Sequence, residues 1–238
     1  MTRIARLDDL APDGFPDPAN ALADPNGLLA FGGDLSPQRL LAAYRLGIFP
    51  WYSEGDPLLW WSPDPRCVFA SDGVHVSHSL RRALRDSHWQ WSMNRAFETV
   101  VRECAAPRPH QDGTWITPAM IVAYTNLHLF GHAHSLEIWD GDILVGGIYG
   151  VSVGRAFSAE SMFSHRTNAS KAALVALANV LQQRAFPVID AQVPNPHLLR
   201  MGASTIPRSE YLATLAKLVA SPAPRDWPQQ LAPVRTLA

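Results

Sequence analysis

The sequence predicts an α+β fold: a mixed sheet with helices on its faces, preceded by a small N-terminal α/β domain packed against it. Three observations predict it. Apolar residues recur at helical spacing up to residue 131, then alternate through antiparallel strand patterns over 134–163. A long amphipathic helix pattern over 170–184 follows, and then one more strand pattern over 187–193. The first 65 residues are dense in Pro, Gly and Trp and form a separate unit in the pattern. The expected division is a small domain over 1–65 and a larger one over 66–238.

The first expected helix opens at Ser36, which can cap it, with Pro37 at its first position. Leu40, Leu41 and Tyr44 give it an apolar face, and Gly47 stops it. The run Phe49-Pro50-Trp51-Tyr52 and the pair Trp60-Trp61 follow in irregular sequence, as large aromatics do where one domain packs on another. Beyond 65, Ser77 can cap a helix carrying Arg81, Arg82 and Arg85. Asn94 can cap a second, with Phe97, Val100, Val101 and Cys104 inward, and Thr117-Pro118 starts a third that ends at Gly131. Residues 134–139 and 143–153 form a hairpin about Asp140-Gly141, and Gly154-Arg155 turns the chain into a strand over 156–163. Gly146, Gly147 and Gly150 lie inside the second of these strands. They mark bulges or places where a ligand approaches the backbone, or only the twist of the sheet. A last helix spans 209–220, and the proline-rich tail from Ser221 onward is expected to be irregular.

The composition narrows the function classes. A hydrophobic content of 47% with 17% charged residues suits a packed core and not a disordered chain. A formal net charge of −1 excludes a protein that coats long nucleic acid, which must replace many phosphate counterions, and allows only a local patch. Lys171 and Lys217 are the only lysines, so the positive charge is nearly all arginine. Cys67 and Cys104 sit in apolar surroundings and read as buried thiols of a reducing compartment. The N-terminal residues carry no signal-like apolar stretch, and the longest apolar helical run is too short for a bilayer. A cytoplasmic protein is expected. His128, His132 and His134 are close in sequence, but a helix break and a strand start divide them, so no metal site is expected. The chain has no phosphate-binding G-x-x-x-x-G-K-[ST] loop and no G-x-S-x-G elbow.

Two places can carry chemistry. Asp190 and Gln192 are two apart in the strand pattern and are expected to share a face, a polar pair on an otherwise apolar strand. Either they form a site, or they tie down a neighbouring loop. Glu160 lies between Phe157 and Met162 in another apolar strand, where it either orients a second polar group or meets solvent at an edge.

At these residues the chain resembles the bacterial leucyl/phenylalanyl-tRNA–protein transferases. The resemblance is carried by Asn26-Gly27-Leu28-Leu29-Ala30, Gly32-Gly33-Asp34-Leu35-Ser36-Pro37, Gly47-Ile48-Phe49-Pro50-Trp51 and Trp60-Trp61-Ser62-Pro63-Asp64-Pro65-Arg66. It continues through Gly113-Thr114-Trp115-Ile116-Thr117, Gly131-His132-Ala133-His134-Ser135, Leu144-Val145-Gly146-Gly147, Glu160-Ser161-Met162-Phe163, Ala169-Ser170-Lys171 and Ile189-Asp190-Ala191-Gln192. These runs are collinear from about residue 15 to 213, and the ordered set is far more specific than any one run.

The resemblance implies a C-terminal domain related to the acyl-CoA-dependent acetyltransferase (GNAT) superfamily. It implies transfer of Leu, Phe or Met from charged tRNA to the N-terminal α-amino group of proteins beginning with Arg or Lys, which marks them for degradation. No cofactor and no membrane partner are expected, and nothing in the sequence requires more than a monomer. Asp190 and Gln192 would share a relay that positions and deprotonates the amine, with Glu160 orienting it. Ile148, Phe157, Met162, Leu177, Leu181 and Ile189 would line the pocket for the donor side chain. Trp51 and Trp115 would hold the terminal adenosine, and Arg81, Arg82, Arg85 and Lys171 the acceptor stem. This chain has Ala159 where the family has Gly, and His78 where a basic residue is expected. An acyl-CoA N-acyltransferase and a non-catalytic tRNA-binding module are the alternatives. The helix opening Thr167-Asn168-Ala169-Ser170-Lys171 lacks the glycine-rich pyrophosphate loop of the first.

Overall fold

The computed structural model describes residues 4–107, 114–224, 226–228 and 231–237. Gly113 of the quoted runs lies outside them. The N-terminal part holds β1 (Ala5–Arg6), β2 (Leu28–Phe31), α1 (Pro37–Arg45), β3 (Phe49–Pro50) and β4 (Leu59–Trp61). Its strands form a sheet in the order β1-β2-β4-β3. The rest comprises β5 (Arg66–Ala70), α2 (His78–Arg85), β6 (Gln90–Met93), α3 (Phe97–Ala105), α4 (Pro118–Leu129), β7 (Ala133–Asp140), β8 (Ile143–Val153) and β9 (Ala156–Ser164). Then come α5 (Ala169–Gln183), β10 (Val188–Gln192), α6 (Pro196–Arg200), β11 (Ser204–Ile206), α7 (Arg208–Val219) and β12 (Ala232–Pro233).

The large sheet runs β11-β5-β10-β9-β8-β7-β6-β12. It is mixed, as expected: β9 and β10 pair in parallel, with α5 as the crossover, and the other pairs are antiparallel. One hydrophobic core packs α5 and α2 against the sheet through Leu80, Leu84, Leu177, Leu181, Ile148, Phe157 and Ile189. A second gathers α3, α4 and the N-terminal part around Tyr44, Trp60, Phe97, Tyr124 and Tyr149. The small sheet therefore shares a core with the large one.

Local chemistry sets most helix starts. Ser36, Ser77 and Thr117 each accept a backbone N–H in the first turn of α1, α2 and α4. Asn94 does not cap α3. It sits in the left-handed region at φ 59 and is tied to β7, with its Oδ1 accepting Ser135 N–H and its Nδ2 meeting His134 Nδ1. The helix starts later, and the Ala96 N–H reaches Glu137 Oε1 at 3.4 Å, so a carboxylate from β7 stands where a cap would. At the interior glycines it is protein atoms that approach the backbone closely. A Cβ on Gly146 would meet Ala169 at 2.6 Å, so α5 packs directly on β8.

Short strands escaped the sequence pattern. β5, β6, β11 and the small sheet's strands have 2–5 residues each, too few for a period to register. The tail is not irregular throughout: β12 pairs with β6, and Val234 is fully buried. Arg208 fastens the small sheet to α7, donating to Ser62 O at 2.6 Å and Ala19 O at 3.3 Å, while Asp64 Oδ1 accepts its N–H.

Candidate active site

A cavity of about 270 Å³ opens where the small sheet meets the large one. β3 and the residue after it supply Phe49, Pro50 and Trp51, and the segment before α4 supplies Trp115. Ile148 of β8 and Ala159, Glu160, Ser161 and Met162 of β9 form one wall. Leu174, Phe69, Ala191, Gln192, Val193, Asn195 and Leu198 complete it.

Two of the three expected polar groups meet on this wall. Gln192 Nε2 donates to Glu160 Oε1 at 2.8 Å. The other carboxylate oxygen, Oε2, accepts the Tyr124 hydroxyl at 2.9 Å. Tyr124 has one proton and gives it to Glu160, so its oxygen accepts from the Tyr44 hydroxyl at 2.7 Å. A hydrogen-bonded file thus runs from α1 through α4 to β9 and β10. Glu160 borders the cavity, yet protein atoms strip most of its hydration. That burial pushes its pKa up to about 7, against the opposing influence of the Tyr124 hydroxyl and, behind it, Tyr44. Burial first, and then the Glu160 charge, hold the Tyr124 and Tyr44 phenols well above their usual range, so both stay protonated.

Asp190 does not share that face. The ladder slips between Asp190 and Gln192, and Gln192 adopts φ 55. The simple alternation of a strand therefore fails at the pair from which the expectation was drawn, and only Gln192 lines the cavity. The Asp190 carboxylate faces a buried arginine. Arg66 Nε and Nη2 reach its two oxygens at 2.7 Å each, and the two side chains are 1% and 4% exposed. Tyr211 donates to Oδ2 at 2.9 Å, Ser158 Oγ to the same atom at 3.2 Å, and the Gln192 N–H to Oδ1 at 3.0 Å. Burial opposes the Arg66 charge, but the charge and hydrogen bonds of Asp190, with Tyr211 and Glu160, together outweigh it and raise its pKa further.

Of the residues expected to line an apolar pocket, Ile148 and Met162 do so. Phe157, Leu177, Leu181 and Ile189 lie in the core and do not line the cavity, and Leu174, Phe69 and Leu198 line it instead. A helix presents a stripe, and spacing alone does not say which turn of it reaches the cavity. Trp51 is 43% exposed, and its carbonyl accepts the Trp61 indole N–H. Arg81, Arg82 and Arg85 are exposed on α2, where Arg82 and Arg85 approach Asp86 at 3.5 and 3.7 Å. Lys171 is half-buried and donates to Asn168 Oδ1. His197, held below its usual pKa by burial and then by Lys171 and Arg200, marks a further positive neighbourhood beside α6.

Arg66, Tyr211, Tyr44 and Tyr124 were not expected to serve the site. Their sequence signals were of another kind: Arg66 ends the run from Trp60, and both tyrosines on α1 and α4 sit in apolar helix stripes.

Residues 68–216 match the family model described as leucyl/phenylalanyl-tRNA protein transferase, and residues 33–64 match that of its N-terminal domain. A leucyl/phenylalanyl-tRNA–protein transferase from Xanthomonas oryzae pv. oryzae (strain MAFF 311018) is 59% identical over 218 residues, 91% of this chain and 87% of that protein. One from Shewanella baltica (strain OS155 / ATCC BAA-1091) is 52% identical over 216 residues, 90% of this chain and 91% of that protein. Among solved structures, a GCN5-related N-acetyltransferase from Kribbella flavida aligns at 8% identity and TM-score 0.36, covering 71% of this chain and 60% of that one. The structure of L-PGS from Bacillus licheniformis aligns at 11% identity and TM-score 0.39, covering 73% and 56%.

Proposed function

The chain belongs to the leucyl/phenylalanyl-tRNA protein transferase family, and from that premise we propose that it moves Leu, Phe or Met from charged tRNA to the N-terminal amine of proteins beginning with Arg or Lys, marking them for degradation. The observation that carries the chemistry is the Gln192–Glu160 pair on a cavity wall that also holds Trp51 and Trp115.

The reaction is aminolysis of an ester. The acceptor nitrogen forms a bond to the carbonyl carbon, the bond to the ribose oxygen breaks, and the amine proton ends on a base while the ribose oxygen takes one up. Ester to amide is downhill, so no ATP and no cofactor enter. A free α-amino group titrates at about 7.7–8.0. A base near 7 is matched to take its proton at neutral pH, and Glu160 has that value. Gln192 gives its amide N–H to Glu160, which leaves its carbonyl oxygen to accept from the incoming amine. The amine proton passes directly to Glu160, whose carboxylate keeps lone-pair capacity beyond the bonds it accepts from Gln192 and Tyr124.

The apolar wall of Ile148, Met162, Leu174, Phe69 and Leu198 takes the donor side chain. Trp51 and Trp115 stack the terminal adenosine, each stack being worth about 1–3 kcal/mol. Arg81, Arg82, Arg85 and Lys171 meet the acceptor-stem phosphates. Among the described residues no helix is long and apolar enough to cross a membrane. A monomer in the cytoplasm, where charged tRNA is found, fits this reading, with a domain boundary near residue 65.

The test is transfer of labelled leucine from charged tRNA to a peptide beginning with Arg, without ATP or added metal. Transfer is expected to the free peptide and to stop when its N-terminus is acetylated. Folded, tRNA-binding protein that transfers nothing would sink the enzyme reading in favour of a binding module.

A further inference from the structure

We propose that Arg66 and Asp190 form a buried latch holding the Trp51 turn of the small domain against the strand end that carries Gln192, so that Arg66 is a positioning residue for transfer and Asp190 acts through it. The proposal rests on the reading of Trp51 and Gln192 as groups that meet the donor and the amine.

Arg66 opens β5, which lies between β10 and β11. Two arms of its guanidinium grip Asp190, and the third, Nη1, donates to Gly47 O at 3.0 Å. The Phe49 and Tyr211 rings flank the same cation at 5.1 and 4.6 Å. Gly47 is the turn from α1 into β3 at φ 71, and a Cβ there would meet Leu212 at 2.7 Å, so this turn has little room to shift. Four residues on is Trp51. On the other side, Asp190 Oδ1 accepts the Gln192 N–H inside the register slip and holds Gln192 at φ 55. One guanidinium therefore fixes both the tryptophan turn and the bulge that aims Gln192.

The same bonds keep Asp190 from being the base. Its carboxylate accepts from Arg66 Nε and Nη2, Tyr211, Ser158 and the Gln192 N–H, which already exceeds the roughly four lone-pair sites a carboxylate offers. It also does not line the cavity.

The experiment compares Asp190→Asn, Arg66→Lys and the double variant Arg66→Gln/Asp190→Asn with the wild type. Melting, tRNA binding and steady-state transfer to an Arg-peptide are measured across pH. Asp190→Asn strands the Arg66 charge in the core and is expected to melt early and lose transfer. The double variant removes both charges, keeps an acceptor for the Gln192 N–H, and gives up the reach to Gly47. It is expected to melt near the wild type and recover kcat to within about tenfold, because no uncompensated charge remains. Its KM for charged tRNA is expected to rise by about tenfold, as a displaced stacking residue predicts, with the pH midpoint unchanged. Arg66→Lys keeps the charge but not the fork, and is expected to share the KM defect at near-normal kcat.

A double variant that melts normally yet stays as inactive as Asp190→Asn at saturating tRNA overturns the latch, since the carboxylate itself would then be needed in the chemistry. A wild type that binds tRNA but transfers nothing overturns the enzyme reading instead. In that case rescue of Asp190→Asn melting by Arg66→Gln, with tRNA affinity still weakened, supports the latch, and no rescue overturns it.

Discussion

Glu160 is the residue on which the pH behaviour turns. Its folded pKa of about 7 stands above the ordinary glutamate value of 4.5 because burial disfavours its charge. The group therefore contributes its full stability below about pH 4.5, and that contribution is lost as pH rises through about 7. The shift corresponds to at most about 3 kcal/mol, reduced by contact with cavity water. Activity runs the other way, because a base must be ionised to accept a proton. Glu160→Gln should thus melt higher than the wild type at pH 8 and no higher at pH 4.5. Its kcat should fall by about 10²–10⁴, with the midpoint of transfer moving up toward that of the amine. Parallel melting curves, or an unmoved pH profile, would show that Glu160 is not the base. The residues of this site were legible unevenly. Glu160, Asp190 and Gln192 stood out because carboxylates and amides are conspicuous on apolar strands. Tyr44 and Tyr124 did not, since a tyrosine in a helical stripe gives the pattern of any large apolar residue until its hydroxyl finds a partner.

At the scale of elements, helix starts were the most readable feature where a cap lies next to its helix. Ser36, Ser77 and Thr117 act within three residues. α3 is the exception, because Glu137 reaches it from β7, 41 residues away from Ala96. Glu137 is fully buried and also accepts the hydroxyls of Ser92 at 2.6 Å and Ser135 at 2.5 Å. Glu137→Ala leaves those donors and the Ala96 N–H without an acceptor. The expected loss in denaturant melting is about 1–3 kcal/mol or more, since each orphaned buried group carries a penalty of that order. The pH midpoint of transfer should not move. An unchanged denaturation midpoint would mean that these donors find other partners and that Glu137 does not organise the start of α3. Strands of two to five residues, by contrast, contain too little sequence to show alternation and were found only by their partners in the sheet.

The whole molecule depends on how the small sheet sits on the large one, since the cavity takes Trp51 from one and Gln192 from the other. Arg208 is one fastening outside the site, bonded to Ser62 O and Ala19 O. Arg208→Ala should free the first 65 residues to open locally and hasten their cleavage in limited proteolysis. The KM for charged tRNA should rise more than kcat falls. Cleavage at the wild-type rate would show that the shared core and Arg66 hold the two parts without it.

By itself, the sequence determined the mixed α+β fold, the principal helices and long strands of the large domain, and the family, because these depend on local periodicity, caps and collinear motifs. Which side chains face one another was decided only by tertiary structure. Arg66 and Asp190 are 124 residues apart and form one ion pair, and a single slip in the ladder sends Asp190 into the core and Gln192 to the cavity. A strand's alternation fixes faces only while its register holds, and register is a property of the pairing between strands.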